Sequence, residues 1–275
     1  MKWIKRNIST IIILIIFIVG ICLLAYPTVA NWWNSFHATH TVANYDAVVE
    51  QLDDSQYQEI FESAEKYNEQ LQNTPNRFVS SDEMHEQYLS ELSVDNSSVI
   101  GSINIPTVKI NLPIYHGTDE AVLQAGAGHL EGSSLPVGGT GTHSVITGHR
   151  GLPSAKLFTD LDKLVEGDYV VLNILGNKLT YQIHQIRIVE PSEVEQLDID
   201  PEKDLLTLVT CTPYGINTHR LLLTGHRVEN LPENYNGNPD AQLLDSKIVA
   251  LFVAIPILIV LFIWLMIRYR SPRKR

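Results

Sequence analysis

The sequence predicts a mostly β protein, built as a closed β-barrel with short helices, preceded by amphipathic helices and flanked by two transmembrane helices. From Val99 onward, short runs of Val, Ile, Leu and Tyr are cut by Gly and Pro, a pattern typical of strands. Long helices do not alternate with these runs, which favours a barrel over a parallel α/β sheet. An uncharged apolar run also lies near each end of the 275-residue chain.

Candidate strands follow from these runs. Gly176 and Asn177 separate two of them and form a good two-residue hairpin turn. The predicted strands are residues 100–105, 108–115, 144–147, 169–175, 178–189, 205–210 and 221–228.

The two apolar runs, residues 8–24 and 248–267, predict membrane spans, because a helix needs about 17 to 25 apolar residues to cross the hydrocarbon layer. Basic residues flank both runs on the side of the chain terminus. Short basic flanks stay in the cytoplasm, so we expect both termini to be cytoplasmic and the domain between them to be extracellular. Alternatively, the first run is a signal peptide cleaved after Ala30, and the domain is exported in either case.

The chain is therefore predicted to divide into five parts. Residues 1–30 form a cytoplasmic tail and the N-terminal membrane segment, and residues 31–98 form amphipathic helices and a connector. Residues 99–229 form the barrel, residues 230–247 a tether rich in Asn and Pro, and residues 248–275 the C-terminal transmembrane helix with its basic tail.

Two patterns subdivide the second part. Apolar positions from Tyr45 to Leu71 recur at spacings of three and four, which predicts one or two amphipathic helices that pack on the barrel or space it from the membrane. The polar stretch 73–98 contains Pro75 and an end rich in Asp, Ser and Asn, and predicts a flexible connector.

Charge excludes some partners. Eight of the 20 Lys and Arg lie in the two basic flanks, which leaves 12 to balance all 31 Asp and Glu between the spans, a net charge of −19. Such an acidic domain is a poor partner for nucleic acid and for anionic lipid.

Cys211 is the first candidate functional residue. The other cysteine, Cys22, lies in the first apolar run, so Cys211 is a lone thiol in an exported domain, either buried as a small hydrophobe or reactive. The apolar stretch 207–210 leads into Cys211, and Pro213 and Gly215 then end the strand. A strand end is rigid and accessible, which favours a reactive thiol.

A reactive thiol works as the thiolate and needs an imidazole or a cation nearby. Spacing alone does not choose a histidine, although His149 has the strongest local case because the run 144–147 ends at Gly148 beside it. The alternative is that His149 is structural. The histidines of the barrel region are His116, His129, His143, His149, His184, His219 and His226.

Arg220 follows Cys211 by nine residues and opens the next apolar run, so a hairpin would bring its guanidinium beside the sulfur. There it could hold a substrate carbonyl or an oxyanion; the alternative is a surface arginine that lies along the sheet. A papain-like order is disfavoured, because only His219 and His226 follow the cysteine. No close histidine pair such as His-x-x-x-His occurs with a carboxylate partner on a predicted helix, which makes a zinc site weaker still. No cofactor is expected.

Four blocks together resemble class C, or pilus-assembling, sortases. They are TLVTCTPYGINTHRL at 207–221, LPIYHGT at 112–118, GHLEGSSLP at 128–136 and TGHRGLP at 147–153. The resemblance spans residues 100–228, and the two membrane spans also resemble the class C organisation.

The resemblance implies a sortase-like β-barrel with a catalytic trio. Cys211 would be the nucleophile, His149 the general acid and base, and Arg220 the group that stabilises the substrate and the oxyanion. The tetrapeptide TGHR occurs at 147–150 and again at 224–227, and only the first copy matches the catalytic motif. His226 is therefore expected to be a surface bystander.

The sequence departs from the class C pattern in one respect. Many pilus sortases carry an Asp-Pro-aromatic triplet in a lid ahead of the barrel, and no Asp-Pro precedes Asp200 in this chain. We therefore expect an active site that is open or covered only by a mobile segment.

The resemblance implies a membrane-embedded cysteine transpeptidase on the outer face of a Gram-positive cell. It would cleave a Leu-Pro-x-Thr-Gly-like sorting signal between Thr and Gly and pass the acyl group to a lysine amine of another pilin subunit. One alternative is a housekeeping sortase that attaches surface proteins to peptidoglycan. Another is a non-catalytic membrane scaffold that binds sorting signals.

Overall fold

The barrel is built from eight strands. The structure is a computed structural model and describes residues 8–94, 97–232, 254, 256–262 and 264. The strands are β1 (Val99–Ile105), β2 (Ile110–His116), β3 (Ala127–His129), β4 (Thr142–Thr147), β5 (Tyr169–Ile174), β6 (Asn177–Val189), β7 (Asp204–Thr212) and β8 (His219–Val228). The predicted mostly β fold is thereby confirmed.

The barrel closes in the order β1-β2-β3-β4-β7-β8-β6-β5, with β5 paired back on β1. Most neighbours are antiparallel, but β2 with β3 and β4 with β7 are parallel pairs. Strand β3 was not among the strands predicted from sequence, because three residues are too few to show an alternating pattern. Its position follows only from its pairing with β2 and β4.

The two faces of β7 bury different apolar groups. Leu206 and Leu208 point into the main core inside the barrel, and each is 1% exposed. Val209 points outward, because side chains alternate along a strand, and packs in a smaller group that we call the outer cluster. The outer cluster consists of Val145, Val189, Leu197 and Leu222 with Phe78, Leu130 and Val209.

Helix α1 (Ile8–Val49) joins the membrane segment to the barrel without a break. Its 42 residues span about 63 Å at a rise of 1.5 Å per residue. Within the described part of the chain, the stretch Ile11–Val49 is the one helix long and apolar enough to cross a membrane. Ala38, Val42 and Tyr45 of its second half are buried against the barrel.

Helix α2 (Asp54–Gln72) is the second amphipathic helix of the predicted pair. A capping box starts it: Asp53 accepts a hydrogen bond from the Gln56 amide at 2.8 Å, and Gln56 accepts one from the Asp53 amide at 3.2 Å. Its buried face includes Ala64, Tyr67 and Leu71, as the spacing of three and four residues requires.

The expected flexible connector at 73–98 is wrong over much of its length. Residues Asp82–Ser90 form helix α3, whose first turn is capped by the Ser81 hydroxyl accepting from the Met84 amide. Tyr88 is fully buried and its hydroxyl donates to the His129 carbonyl at 3.0 Å. One buried aromatic therefore fixes a segment whose polar composition suggested mobility.

The predicted second span, residues 248–267, lies mostly outside the described residues. Its described positions, 254, 256–262 and 264, are helical. Phe262 stacks on Phe17 of α1, with 4.4 Å between the ring centroids. The tether 230–247 is described only as far as residue 232.

Candidate active site

Cys211 lies at the end of β7 as a free, half-exposed cysteine. Cys211 lies two residues after Val209 on the same strand, so its side chain points to the same outer face of the barrel and not into the main core. The alternative of a fully buried structural cysteine therefore does not hold.

Parallel pairing of β4 with β7 places His149 level with Cys211. Thr147, the last residue of β4, pairs with Val209, and His149 and Cys211 each follow two residues later along the chain. The Gly148 amide donates to the Val209 carbonyl at 3.1 Å, and the Thr210 hydroxyl donates to the Gly148 carbonyl at 2.8 Å. The backbone next to His149 is thus hydrogen-bonded to β7, the strand that carries Cys211.

Antiparallel pairing of β7 with β8 places Arg220 directly opposite Cys211. Directly opposed residues have Cβ atoms about 4.5 to 5.5 Å apart. The guanidinium Nη1 donates to the Asn217 and His219 carbonyls at 3.4 and 3.3 Å, contacts long enough for a bound oxygen to replace. The three residues singled out from sequence are therefore brought together at one end of three neighbouring strands.

The His149 ring also contacts an acidic side chain. Its Nε2 lies 3.2 Å from Oε2 of Glu120, the first residue of helix α4 (Glu120–Ala125). The pKa of Glu120 is lowered first by a hydrogen bond from Gln124 and then by the charge of, and hydrogen bond from, His149. Glu120 is well exposed, so a substrate could displace this contact at little cost.

Arg150 was not singled out from the sequence, although it directly follows His149. Its side chain is buried and Nη1 donates to the Thr212 hydroxyl at 3.1 Å, while Nη2 pairs with Asp162. Its guanidinium carbon lies 6.0 Å from the ring centroid of Tyr214. Because Arg150 follows His149 and Thr212 follows Cys211, this side chain ties the two strand ends together.

Gly148 is required by a close approach to Phe158. A Cβ at this position would lie 2.8 Å from two ring atoms of Phe158, which is fully buried. We expect Gly148→Ala to lower the free energy of unfolding by about 1 to 3 kcal/mol in urea denaturation, because the ring cannot move without strain. Adding Phe158→Leu should recover part of the loss, and strictly additive effects of the two changes would contradict the clash.

Three of the other histidines are structural. His116, His129 and His143 are buried, and burial lowers the pKa of each. His129 donates from Nε2 to the Ser134 carbonyl at 2.8 Å, and His143 contacts the Thr207 hydroxyl at 2.7 Å. Their burial separates them from the partly exposed His149.

The burial of His129 makes stability pH dependent. Burial, followed by the nearby His116, lowers its pKa to about 4, below the unfolded value of about 6.5. The unfolded chain therefore binds the extra proton first, and stability is complete above pH 6.5 and falls as the pH drops toward 4, by up to about 3 kcal/mol. Urea midpoints measured across this range should show the decline. His129→Gln should make the decline shallower, because His116 and His143 keep their own lowered pKa values, and His226→Gln should leave it unchanged.

His226 lies far from the sulfur, as expected. It pairs with Leu205 near the start of β7, six residues before Cys211, which is about 20 Å along the strand. There its Nδ1 is 3.3 Å from Nδ1 of His184. His219 is exposed at the start of β8, beside the Thr218 hydroxyl.

The segment ahead of the barrel contacts it at residues 77 and 78. Arg77 donates to the Leu197 carbonyl at 2.8 Å, and Phe78 packs in the outer cluster with Val209 and Leu222. A Cβ at Gly132 would lie 2.3 Å from the Arg77 carbonyl oxygen, so the backbones are in close contact. Cys211 is half-exposed, so the expectation that the site is open or covered only by a mobile segment stays a prediction.

A metal-dependent site has no support in the described part of the chain. There, three or more His, Cys, Asp or Glu side chains are nowhere grouped so that they could hold a metal ion. The chemistry available at this end of the barrel is that of a thiol, an imidazole and a guanidinium.

Comparison with known proteins decides the family. The profile of the sortase domain family matches residues 103–228. Sortase C1 from Streptococcus agalactiae is similar in structure, with 48% identity and a TM-score of 0.68, over 70% of this chain and 99% of that one. The chain belongs to the sortase family. Sortases are cysteine transpeptidases, so the alternative of a non-catalytic scaffold is set aside.

Other relatives place this sortase near class C. A sortase C from Clostridium perfringens, solved with the C-terminal cell wall sorting motif, is 42% identical with a TM-score of 0.62, over 70% of this chain and 100% of that one. Sortase A of Bacillus anthracis is 26% identical over 82% of this chain and 96% of its own length. The resemblance to class C sortases is thus confirmed by the structural neighbours.

Proposed function

We propose that this sortase polymerises pilus subunits by a two-step acyl transfer on the outer face of the membrane. The observation that carries the proposal is the strand register that sets His149 and Arg220 on either side of Cys211. The C-terminal run 248–267 is a second span in this proposal, with both termini cytoplasmic.

In the first step, the Cys211 thiolate attacks the Thr carbonyl of a Leu-Pro-x-Thr-Gly-like signal. The bond from sulfur to the carbonyl carbon forms, and the negative charge that develops on oxygen is held by the Arg220 guanidinium. The bond between Thr and Gly then breaks as His149 gives its proton to the leaving amine. The products are a thioester on Cys211 and a free peptide that begins with Gly.

In the second step, an amine attacks the thioester carbonyl and Cys211 leaves as the thiolate. His149 takes the proton of the attacking nitrogen and is ready for the next cycle. The energy of one peptide bond is kept in the thioester, so the reaction needs no nucleotide. The proposed amine is a lysine of another pilin subunit, which would extend a covalent fibre.

Support for a sorting signal as substrate comes from the related sortase C that was solved with such a motif. Support for pilus assembly comes from the class C neighbours at 38 to 48% identity. The second candidate is attachment of surface proteins to peptidoglycan, because the curated relatives at 26 to 40% identity include several named sortase A.

The purified extracellular domain should form a thioester with a sorting peptide, detected by mass spectrometry as an adduct on Cys211. Pilin-derived lysine peptides and cell-wall peptides should then be offered to this adduct in competition. We expect the lysine peptide to be acylated faster. Preference for the cell-wall amine would favour the housekeeping alternative, and no adduct with any sorting peptide would contradict both.

Thioester formation is expected to need the guanidinium N–H donors of Arg220 as well as its positive charge. Arg220→Ala should lower kcat/KM for thioester formation by about 100-fold to 1000-fold, the usual effect of losing an oxyanion donor. Arg220→Lys keeps the positive charge but lacks the planar set of N–H donors, and should recover only a small part of the lost kcat/KM. Arg187→Ala removes an exposed arginine of β6 and serves as the control, with unchanged kinetics.

A further inference from the structure

Helix α1 carries an exposed aromatic face just beyond the apolar run. Trp32, Trp33 and Phe36 are 64%, 56% and 50% exposed, and the Trp32 and Phe36 rings stack with centroids 6.2 Å apart. A shallow hollow of about 330 Å³ opens beside Trp32 and Phe36. Exposed large aromatic groups next to one another indicate a surface that is covered when the protein works.

The sequence around this face is free of charge. No Asp, Glu, Lys or Arg occurs between Arg6 and Asp46, a far longer stretch than a membrane crossing needs. The hydrocarbon layer of about 30 Å takes about 20 helical residues, which extends from Ile8 to about Pro27. Trp32 and Trp33 then lie about one and a half turns further, in the headgroup layer, where Trp is enriched.

The opposite side of the same helix turn holds the loop that carries His149. The Asn34 side chain donates to the Ser154 carbonyl at 2.7 Å, and the Asn31 side chain accepts from the Lys156 amide at 2.8 Å. The Phe158 amide donates to the His149 carbonyl at 3.1 Å and closes this loop at its base. The His149 loop (residues 149–158) is therefore fixed at the height of the two tryptophans.

Contacts further along α1 show which end of the barrel lies further from the membrane-crossing part of the helix. The Tyr45 hydroxyl donates to the Ile100 carbonyl and accepts from the Leu175 amide, beside the β5–β6 hairpin. Asn173, also near this hairpin, donates to Asp46 at 3.0 Å. The hairpin contacts α1 11 to 15 residues later than the His149 loop does, which is about 16 to 22 Å further from the membrane along the helix.

We propose that Trp32, Trp33 and Phe36 rest in the headgroup layer of the bilayer and hold the His149 end of the barrel against the membrane surface. The occupant of the aromatic face is lipid, because the face continues the membrane-crossing stretch of the same helix without a break. The extracellular portion has a net charge of −19, so the contact depends on aromatic insertion and not on attraction to anionic headgroups. This orientation does not depend on which amine accepts the acyl group.

The test uses the full chain in phosphatidylcholine vesicles that contain a lipid with a nitroxide on its headgroup. A fluorophore is attached through Pro153→Cys in the His149 loop or through Lys178→Cys in the β5–β6 hairpin, both exposed positions, in a Cys22→Ser/Cys211→Ala background. We expect strong quenching of the label at 153 and only background quenching at 178. Equal quenching at the two positions would overturn the proposal.

Two variants test whether the membrane helix and its aromatic face hold the barrel in this orientation. A flexible Gly/Ser insertion after Ala30 frees the barrel from the span but leaves the aromatic face attached to it, so the quenching at 153 should stay above that at 178. Replacing Trp32, Trp33 and Phe36 with Ser in the same inserted chain should reduce the quenching at 153 to the level at 178, while the barrel stays folded by circular dichroism. If the aromatic face instead packs on a second copy of the chain, cross-linking through position 153 should give dimers without nitroxide quenching, and the proposal fails.

Discussion

Cys211→Ala is expected to abolish thioester formation and every later transfer. No other group at this end of the barrel can form the acyl bond, because the neighbouring His149 and Arg220 only move a proton and hold a charge in the proposed reaction. Loss of the covalent route should lower kcat/KM by at least about 10⁴-fold. In cells that carry the chain and its pilin, the high-molecular-weight pilin ladder should disappear from immunoblots.

The second cysteine provides a matched control. Cys22 is exposed on α1 within the apolar run, on a different element from the barrel site. Cys22→Ala should leave the ladder and the thioester unchanged. An intact ladder in the Cys211→Ala strain, or loss of the ladder in the Cys22→Ala strain, would show that Cys211 is not the nucleophile.

His149→Ala is expected to have the next largest effect. Without an imidazole at this position, the leaving amine departs without a proton and the attacking amine keeps one, so both steps slow. General acid and base catalysis contributes about 10²-fold to 10⁴-fold, and we expect a loss in that range for kcat/KM with a sorting peptide. Single-turnover mass spectrometry should separate the slowing of thioester formation from that of its release.

His226 is the control for His149, because both stand in the same TGHR tetrapeptide. His226 is some six strand residues away from the level of Cys211, and its ring faces His184. His226→Ala should leave both steps at the rate of the unchanged protein. Equal damage from the two alanine variants would show that the histidine assignment is wrong.

Most barrel strands and the β5–β6 hairpin were predictable from the sequence, because each depends on a short local pattern of apolar residues and turn residues. Seven of the eight strands follow from apolar runs and breakers. The hairpin predicted at Gly176 and Asn177 exists, but its turn lies one residue earlier, at Leu175 and Gly176, and Asn177 pairs with Ile174. Strand β3 could not be found, since its three residues are defined by pairing with β2 and β4. Helix α3 was missed because its polar surface outweighs the one buried side chain, Tyr88, that fixes it.

The choice of His149 could not come from residues alone. His116, His129 and His143 lie in similar short strands, and their burial and hydrogen bonds appear only when the barrel has closed. Arg150 was overlooked for a related reason. Its partners, Thr212 and Asp162, are 62 and 12 residues away, and no spacing rule connects three such positions.

The continuity of α1 was not predicted from the sequence either, since the expected boundary lay at residue 30. The helix instead continues through Pro27 and past residue 30 to Val49. Prolines are tolerated in membrane helices when neighbouring groups satisfy the freed carbonyl. The membrane part and the barrel-packing part therefore behave as one rod.

The parallel pairing of β4 with β7 has a consequence for the exported chain before it is folded. The Thr147 hydroxyl bonds to the Val209 carbonyl across 62 residues, and such long-range pairs form late because a large loop must close first. In the proposed mechanism, the Cys211 thiol therefore gains its imidazole partner only in molecules that have completed the barrel.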